Sequence, residues 1–449
     1  MSEEPVALTL ARHAVGLRRA PLPEAATTAA VRAFLDWAGA AIAGSVEPPA
    51  RVLATALAPA DAGGGSRLVG GRRRVETSVA ALVNGTASHT LEVDDIYAPG
   101  LFHPGAPVIA AALAIADRER ASGQELLRAV VVGYEVGDRV AADLGPAHYR
   151  HWHTTATVGA IAAAAAGAEL LGCDEHRFGH AVGLAATMAG GLQQTLRGNA
   201  MGKPLHAGHA AQAGVVAALA AHGGLTGALE ALDGEAGLGA ATGGVPAWVH
   251  SRAEFGPELL IEQTSVKPYP CCGHAFAAID GALQLRAGGV RAADVAEIEV
   301  RTYRAAITVA GAPKPATVPE ARFSIPFAVA CALRDGTVGM ASFTDDALSD
   351  PELIVLMQKV ILRAGPDFDE RFPARRGAQV TIIDAAGVRH AVSAPDRSGS
   401  PQNPVSDEQL KGKFYDLAVP VLGRAGAGTA AQSIRSMSHT PDVAAIMLG

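Results

Sequence analysis

Residues 151–172 read HWHTTATVGAIAAAAAGAELLG. From Thr154 to Ala168 the run carries no charge, and most of its side chains are Ala, Gly or Thr. A segment that is apolar on every side belongs inside a body of packed helices, and small residues let helix axes approach closely. It is too short and too weakly hydrophobic to span a bilayer. The next segment, Asp174 to Gly190, reads as a second buried helix with Asp174 as its N-cap. The pair predicts a helical core.

The flanking sequence extends that reading. Pro21-Leu22-Pro23-Glu24 opens a helix, Val31, Phe34, Leu35, Trp37, Ala38 and Ile42 recur at helical spacing, and Gly44 can end it. Residues 104–121, 124–144 and 203–221 read as further helices. Near residue 260 the pattern changes. Val295 to Tyr303 alternates as a strand, and Ala378 to Ala394 reads as a hairpin turning at Asp384 to Gly387. Helices are expected between them at 275–287, 325–334 and 351–362, and 406–417 returns to helix. The expected fold is mainly α. A large all-helical domain (1–264) carries an inserted, smaller α+β domain (265–400), and 401–449 returns to the helical domain.

Composition narrows the function. With 449 residues, 49% hydrophobic and 18% charged, the chain can bury a large core and is not a disordered segment. Its net charge is −7, and the longest basic run is Arg72-Arg73-Arg74, which argues against a nucleic-acid groove. An anionic ligand therefore needs a local cationic pocket. The four cysteines (Cys173, Cys271, Cys272 and Cys331) are too few for a disulfide framework and lack zinc or iron–sulfur spacing. The first residues lack the pattern of a signal peptide, so a cytoplasmic protein without a membrane partner is expected.

Five segments can carry chemistry. His89 to Asp95 with Phe102-His103-Pro104 places three carboxylates and two imidazoles together ahead of a helix start; a polar capping loop is the alternative. His148 to Thr155 places three histidines ahead of an apolar helix, where one can act as acid or base. His151 and His153 alone make a weak metal motif. Arg197 to His209, which includes Asn199, puts Lys203 after a glycine at a helix start, the setting of a carboxylate or phosphate binder. It lacks the spacing and hydroxyl of a Walker A loop. Ser265 to His274 holds Lys267, two prolines and the Cys271-Cys272 pair where the helical part gives way to the α+β part. Arg322 to Phe327 is the weakest, an ordinary helix start being the alternative.

Taken together and in this order, HTLEVDD, FHPGAPV, HWHTTATVGA, GKPLHAGHAAQAG, SVKPYPCCGHAFAAIDG and ARFSIPFAVACAL resemble the MmgE/PrpD family. That family contains 2-methylcitrate dehydratase, cis-aconitate decarboxylase and an iminodisuccinate epimerase. The resemblance implies a homodimeric enzyme, free of metal and cofactor, acting on small polycarboxylates in a cleft between a helical domain and a lid. It matches the cleft histidines to His103 and His153, the carboxylate-binding lysines to Lys203 and Lys267, and a further histidine to His274. Asp95 is expected beside the substrate. The family's LDFDDTH segment reads Leu91-Glu92-Val93-Asp94-Asp95-Ile96-Tyr97 here, a departure that points toward a divergent member such as an epimerase.

The chemistry agrees with this. Removing a proton beside a carboxylate builds enolate charge, which fixed cations such as Lys203 and Lys267 stabilise. An acid and a base on opposite faces of that carbon are then needed. His103 and His153 are the first pair, with Tyr149 and Glu92 as second candidates. The leading expectation is a hydro-lyase resembling 2-methylcitrate dehydratase. Epimerisation of an imino- or amino-dicarboxylate, or cis-aconitate-type decarboxylation, is the alternative.

Overall fold

The computed structural model describes residues 3–57, 64–198, 200–242 and 244–449, so Asn199 lies outside the described residues. The chain is mainly α and forms two compact units, Met1–Val266 with Leu410–Gly449, and Lys267–Gln409.

The first unit contains α1 (Val6–Gly16), α2 (Glu24–Gly44), α3 (Thr77–Ser88), α4 (Gly105–Glu119), α5 (Gly123–Tyr149), α6 (Thr154–Leu170), α7 (Glu175–Met188) and α8 (Gly202–His222). The alanine-rich run is α6. It is buried from Thr154 through Glu169 and packs against α4, α5, α7 and α8. Asp174 caps α7 by accepting from the Arg177 N–H. Helix α5 breaks at Gly145, whose φ of 56° favours glycine, and Pro146 then starts a last short turn that ends at Tyr149. Among the described residues no single helix is long and apolar enough to cross a membrane.

Small residues set how closely α3 and α8 approach. A Cβ at Gly208 would lie 2.1 Å from Thr86 Oγ1 and 2.2 Å from the Leu82 carbonyl oxygen. Neither backbone can yield that space, because both helices are held by their own hydrogen bonds. The variant Gly208→Ala is therefore expected to lose about 1–3 kcal/mol of stability. Helix α8 also carries Lys203 and His206, so activity should fall with the denaturation midpoint. A midpoint unchanged from wild type would contradict this packing.

The second unit is α+β. It contains α9 (Phe276–Ala287), β1 (Val295–Thr302), α10 (Ile325–Asp335), α11 (Pro351–Gln358), β2 (Val360–Ala364), β3 (Ala378–Asp384) and β4 (Arg389–Ala394). The sheet order is β2-β1-β3-β4, with β1 parallel to β2 and antiparallel to β3. Ile298, Val300, Val380 and Ile382 bury one face beneath α9 and α10. The expected helix over 351–362 is corrected: it stops at Gln358, and Val360–Ala364 forms an edge strand. Leu353, Leu356 and Met357 keep the buried helical spacing up to that point. Pairing of Ile298 with Val360 and Val300 with Leu362 then decides the rest, a contact that local periodicity does not report. The last long helix, α12 (Asp407–Arg435), is interrupted at Gly423.

Candidate active site

The loop from His89 to Phe102 leaves α3 and returns to α4 as a small hairpin. Tyr97 N–H donates to the Phe102 carbonyl at 2.7 Å, and Phe102 N–H donates back to Tyr97 at 3.2 Å. Ile96 and Ser265 exchange backbone hydrogen bonds at 2.9 Å each way. Glu92 is held at a φ of 59°, strained for a side-chain-bearing residue, and its carboxylate pairs with Lys203.

This loop brings a buried histidine cluster together. Asp94 Oδ2 lies 2.6 Å from His89 Nδ1 and 3.3 Å from His103 Nδ1. Burial opposes the charge on Asp94, but the His89 and His103 imidazoles and their hydrogen bonds outweigh it and hold its pKa well below the usual carboxylate range. An ionised Asp94 only accepts, so both Nδ1 atoms donate. His103 Nδ1 also lies 2.6 Å from the Asp95 carbonyl oxygen. Neutral His103 is thereby fixed with its lone pair on Nε2.

His153 comes from the N-cap of α6, where its own N–H donates to the Gly191 carbonyl at 2.9 Å. Its ring stacks on His89 with centroids 5.6 Å apart, and its Nδ1 lies 3.2 Å from His206 Nδ1. The His103 N–H donates to Thr155 Oγ1 at 3.2 Å, tying the two histidine segments together. Burial, then repulsion from His89, Lys203, His103 and His206 whenever those groups carry a proton, pushes His153 well below the ordinary histidine pKa. His206 falls to about 4, first by burial and then through His89, His209 and Lys203. Both rings are therefore neutral at pH 7. Lys203 behaves oppositely: burial disfavours its charge, but Glu92, Asp94 and Tyr149 raise its pKa.

The structure thus places His103, His153, Lys203, Glu92 and Tyr149 together in the first unit. Asp95 is a correction. Only 4% exposed, it accepts from the Gly105 N–H at 3.0 Å and from the Tyr134 hydroxyl at 2.6 Å. Burial, only partly offset by the Tyr134 hydrogen bond, lifts its pKa to about 7. Asp94 thus meets the histidines while Asp95 anchors the start of α4. His151 is exposed while His153 is buried, so the HxH pair does not converge on one metal.

His89, Asp94 and His206 lie inside the sequence motifs, but residue type and spacing alone assign them no role. Tyr134 had no signal beyond being one polar group on a buried helix. One ligand atom each from His89, Asp94 and His103 lies within 4.8 Å of the others, a set that can hold a metal. The 2.6 Å contact from His89 to Asp94 is a hydrogen bond, which makes the set equally a carboxylate-anchored histidine pair.

Lys267 and His274 belong to the second unit. His274 Nδ1 hydrogen-bonds the Tyr303 hydroxyl at 2.6 Å, and burial, then Arg376 and Arg397, lowers its pKa to about 4. Burial raises the Cys271 and Cys272 thiols, so neither is activated as a nucleophile. Ser324 is a helix cap for α10, accepting from the Phe327 N–H at 3.2 Å. Arg72-Arg73-Arg74 lies exposed on a turn.

The amino-acid sequence matches known proteins over most of its length. The MmgE/PrpD N-terminal domain matches residues 8–249 and the MmgE/PrpD C-terminal domain matches residues 269–438. The chain belongs to the MmgE/PrpD family. It is 29% identical to human cis-aconitate decarboxylase over 367 residues, covering 78% of this chain and 74% of that protein. It is 26% identical to the cis-aconitate decarboxylase-like protein oryM of Aspergillus oryzae, covering 96% and 94%. It is 23% identical to the cis-aconitate decarboxylase of Aspergillus terreus, covering 86% and 83%.

Proposed function

We propose that the protein is a lyase that acts on a small polycarboxylate by moving a proton at a carbon beside a carboxylate, without a metal or cofactor. The observation that carries this is the cluster of buried His153 with half-buried His103 and Lys203, with Asp94 behind His103. Lys203 stays cationic at a half-buried position and holds a carboxylate, as its ion pair with Glu92 illustrates. His103 is the proton donor, because Asp94 stabilises its imidazolium. His153 is the acceptor, because burial and neighbouring cations keep it neutral. In the second unit, the family resemblance assigns carboxylate binding to Lys267 and a further role to His274. The acting form is a homodimer in the cytoplasm.

The activity of the relatives moves the preferred reaction from dehydration to decarboxylation of cis-aconitate or a close analogue. There the bond to one carboxylate carbon breaks, CO₂ leaves, the electron pair shifts through the double bond, and His103 protonates the carbon that receives it. Loss of water from a hydroxy-acid is the second reading, favoured by the family resemblance of the motifs; there His153 takes the C–H proton and His103 protonates the leaving hydroxyl. Incubation with cis-aconitate, citrate, 2-methylcitrate, tartrate, malate and iminodisuccinate, followed by proton NMR and CO₂ release, separates the two. One CO₂ per cis-aconitate consumed is expected. Water loss without CO₂ selects the second reading, and no turnover of any of them overturns both.

A further inference from the structure

Arg397 of the second unit is only 7% exposed. Among the described residues its guanidinium has no carboxylate partner. One N–H reaches the Gly273 carbonyl oxygen at 3.3 Å, and the group lies over the Phe276 ring at 5.8 Å. The adjacent Asp396 is taken by Arg375, with a 2.7 Å hydrogen bond from Arg375 Nε. Buried charges in folded proteins are paired. A guanidinium also brings five donors in a planar fork, and here most of them have no protein acceptor.

The surroundings are cationic as well. The Arg376 guanidinium lies 5.7 Å from the centre of the Phe372 ring, which stacks on Tyr303 at 4.7 Å, and Tyr303 hydrogen-bonds His274 at 2.6 Å. Arg376 and Arg397 both act electrostatically on His274 and on Tyr303, and Cys272 feels Lys267, Arg397 and Arg376. Two guanidinium charges, Arg376 and Arg397, thus act on one phenol and one imidazole.

We propose that Arg397, with Arg376 beside it, forms a carboxylate-binding subsite in the second unit, in which the Arg397 fork takes both oxygens of one carboxylate of a polyanionic acid. Arg matches a planar carboxylate bidentately, whereas Lys offers only a point charge. Phe276 beneath Arg397 and Phe372 beneath Arg376 keep both side chains in place. The polycarboxylate ligand is taken from the proposed function, but binding can be read without turnover.

The test is calorimetric titration of the full chain with citrate and with inorganic phosphate at fixed ionic strength. Citrate is expected to bind, and Arg397→Gln to weaken it about ten- to hundredfold. Arg397→Lys should recover part of the loss, and Arg376→Gln, at a half-buried position, should weaken citrate by a smaller factor. Citrate affinity unchanged in a folded Arg397→Gln overturns the subsite. If that variant does not fold, unchanged affinity in both Arg397→Lys and Arg376→Gln overturns it. Phosphate binding as tightly as citrate, with the same dependence on Arg397, overturns the carboxylate assignment. Arg397-dependent citrate binding in a chain that turns over no polycarboxylate sustains the subsite and sinks the proposed function.

Discussion

Replacing His103 with Gln is expected to lower kcat by about 10²–10⁴-fold, the range lost when a positioned acid or base is removed. Gln keeps a polar group of similar reach but cannot hold an exchangeable proton charge. The neighbouring framework loses the ring's contacts to Asp94 and the Asp95 carbonyl oxygen but keeps its other anchors. Asp94 keeps its 2.6 Å contact with His89, and Asp95 keeps Gly105 and Tyr134. Circular dichroism and the melting temperature should therefore stay close to wild type while turnover collapses. Retention of more than about a tenth of kcat in a folded variant removes His103 from the proton-transfer role.

Lys203→Met is expected to cost about 10²–10³-fold in kcat/KM, the effect of removing one preorganised cation from developing negative charge. Part should appear in KM, since Lys203 also holds the ground-state carboxylate. Lys203→Arg keeps the charge with a different shape, so it should recover part of the loss. Folding should suffer little. The Glu92 side chain is 41% exposed, so water takes over its carboxylate, and the exposed pair contributes about 1 kcal/mol or less. Steady-state kinetics with a urea midpoint separates the two effects. A drop in midpoint that accounts for the whole loss of activity makes Lys203 structural.

Much of the helical architecture was legible because its signals are local. The alanine run of α6, the Asp174 cap of α7 and the alternation of β1 each state their own element. The edge strand Val360–Ala364 was not, because its identity depends on a partner strand beginning at Val295. The site divides in the same way. His103, His153 and Lys203 each announce themselves beside a helix start, where imidazole or ammonium groups meet free backbone N–H groups. Asp94 and Asp95 are indistinguishable as neighbouring letters, and only the hairpin from Tyr97 to Phe102 decides which one faces the histidines. His206 takes its place by lying one turn beyond Lys203 on α8. Arg397 carries no signal at all: its character comes from what is missing around it.

The most direct measurement is proton NMR of the product formed in deuterated water. With His103 handing a solvent-exchangeable proton to carbon, each product molecule should carry one deuterium on the carbon that gains the bond, and the folded His103→Gln variant should form almost none. Product that appears at the wild-type rate with only protium at that carbon would contradict proton delivery from this histidine cluster.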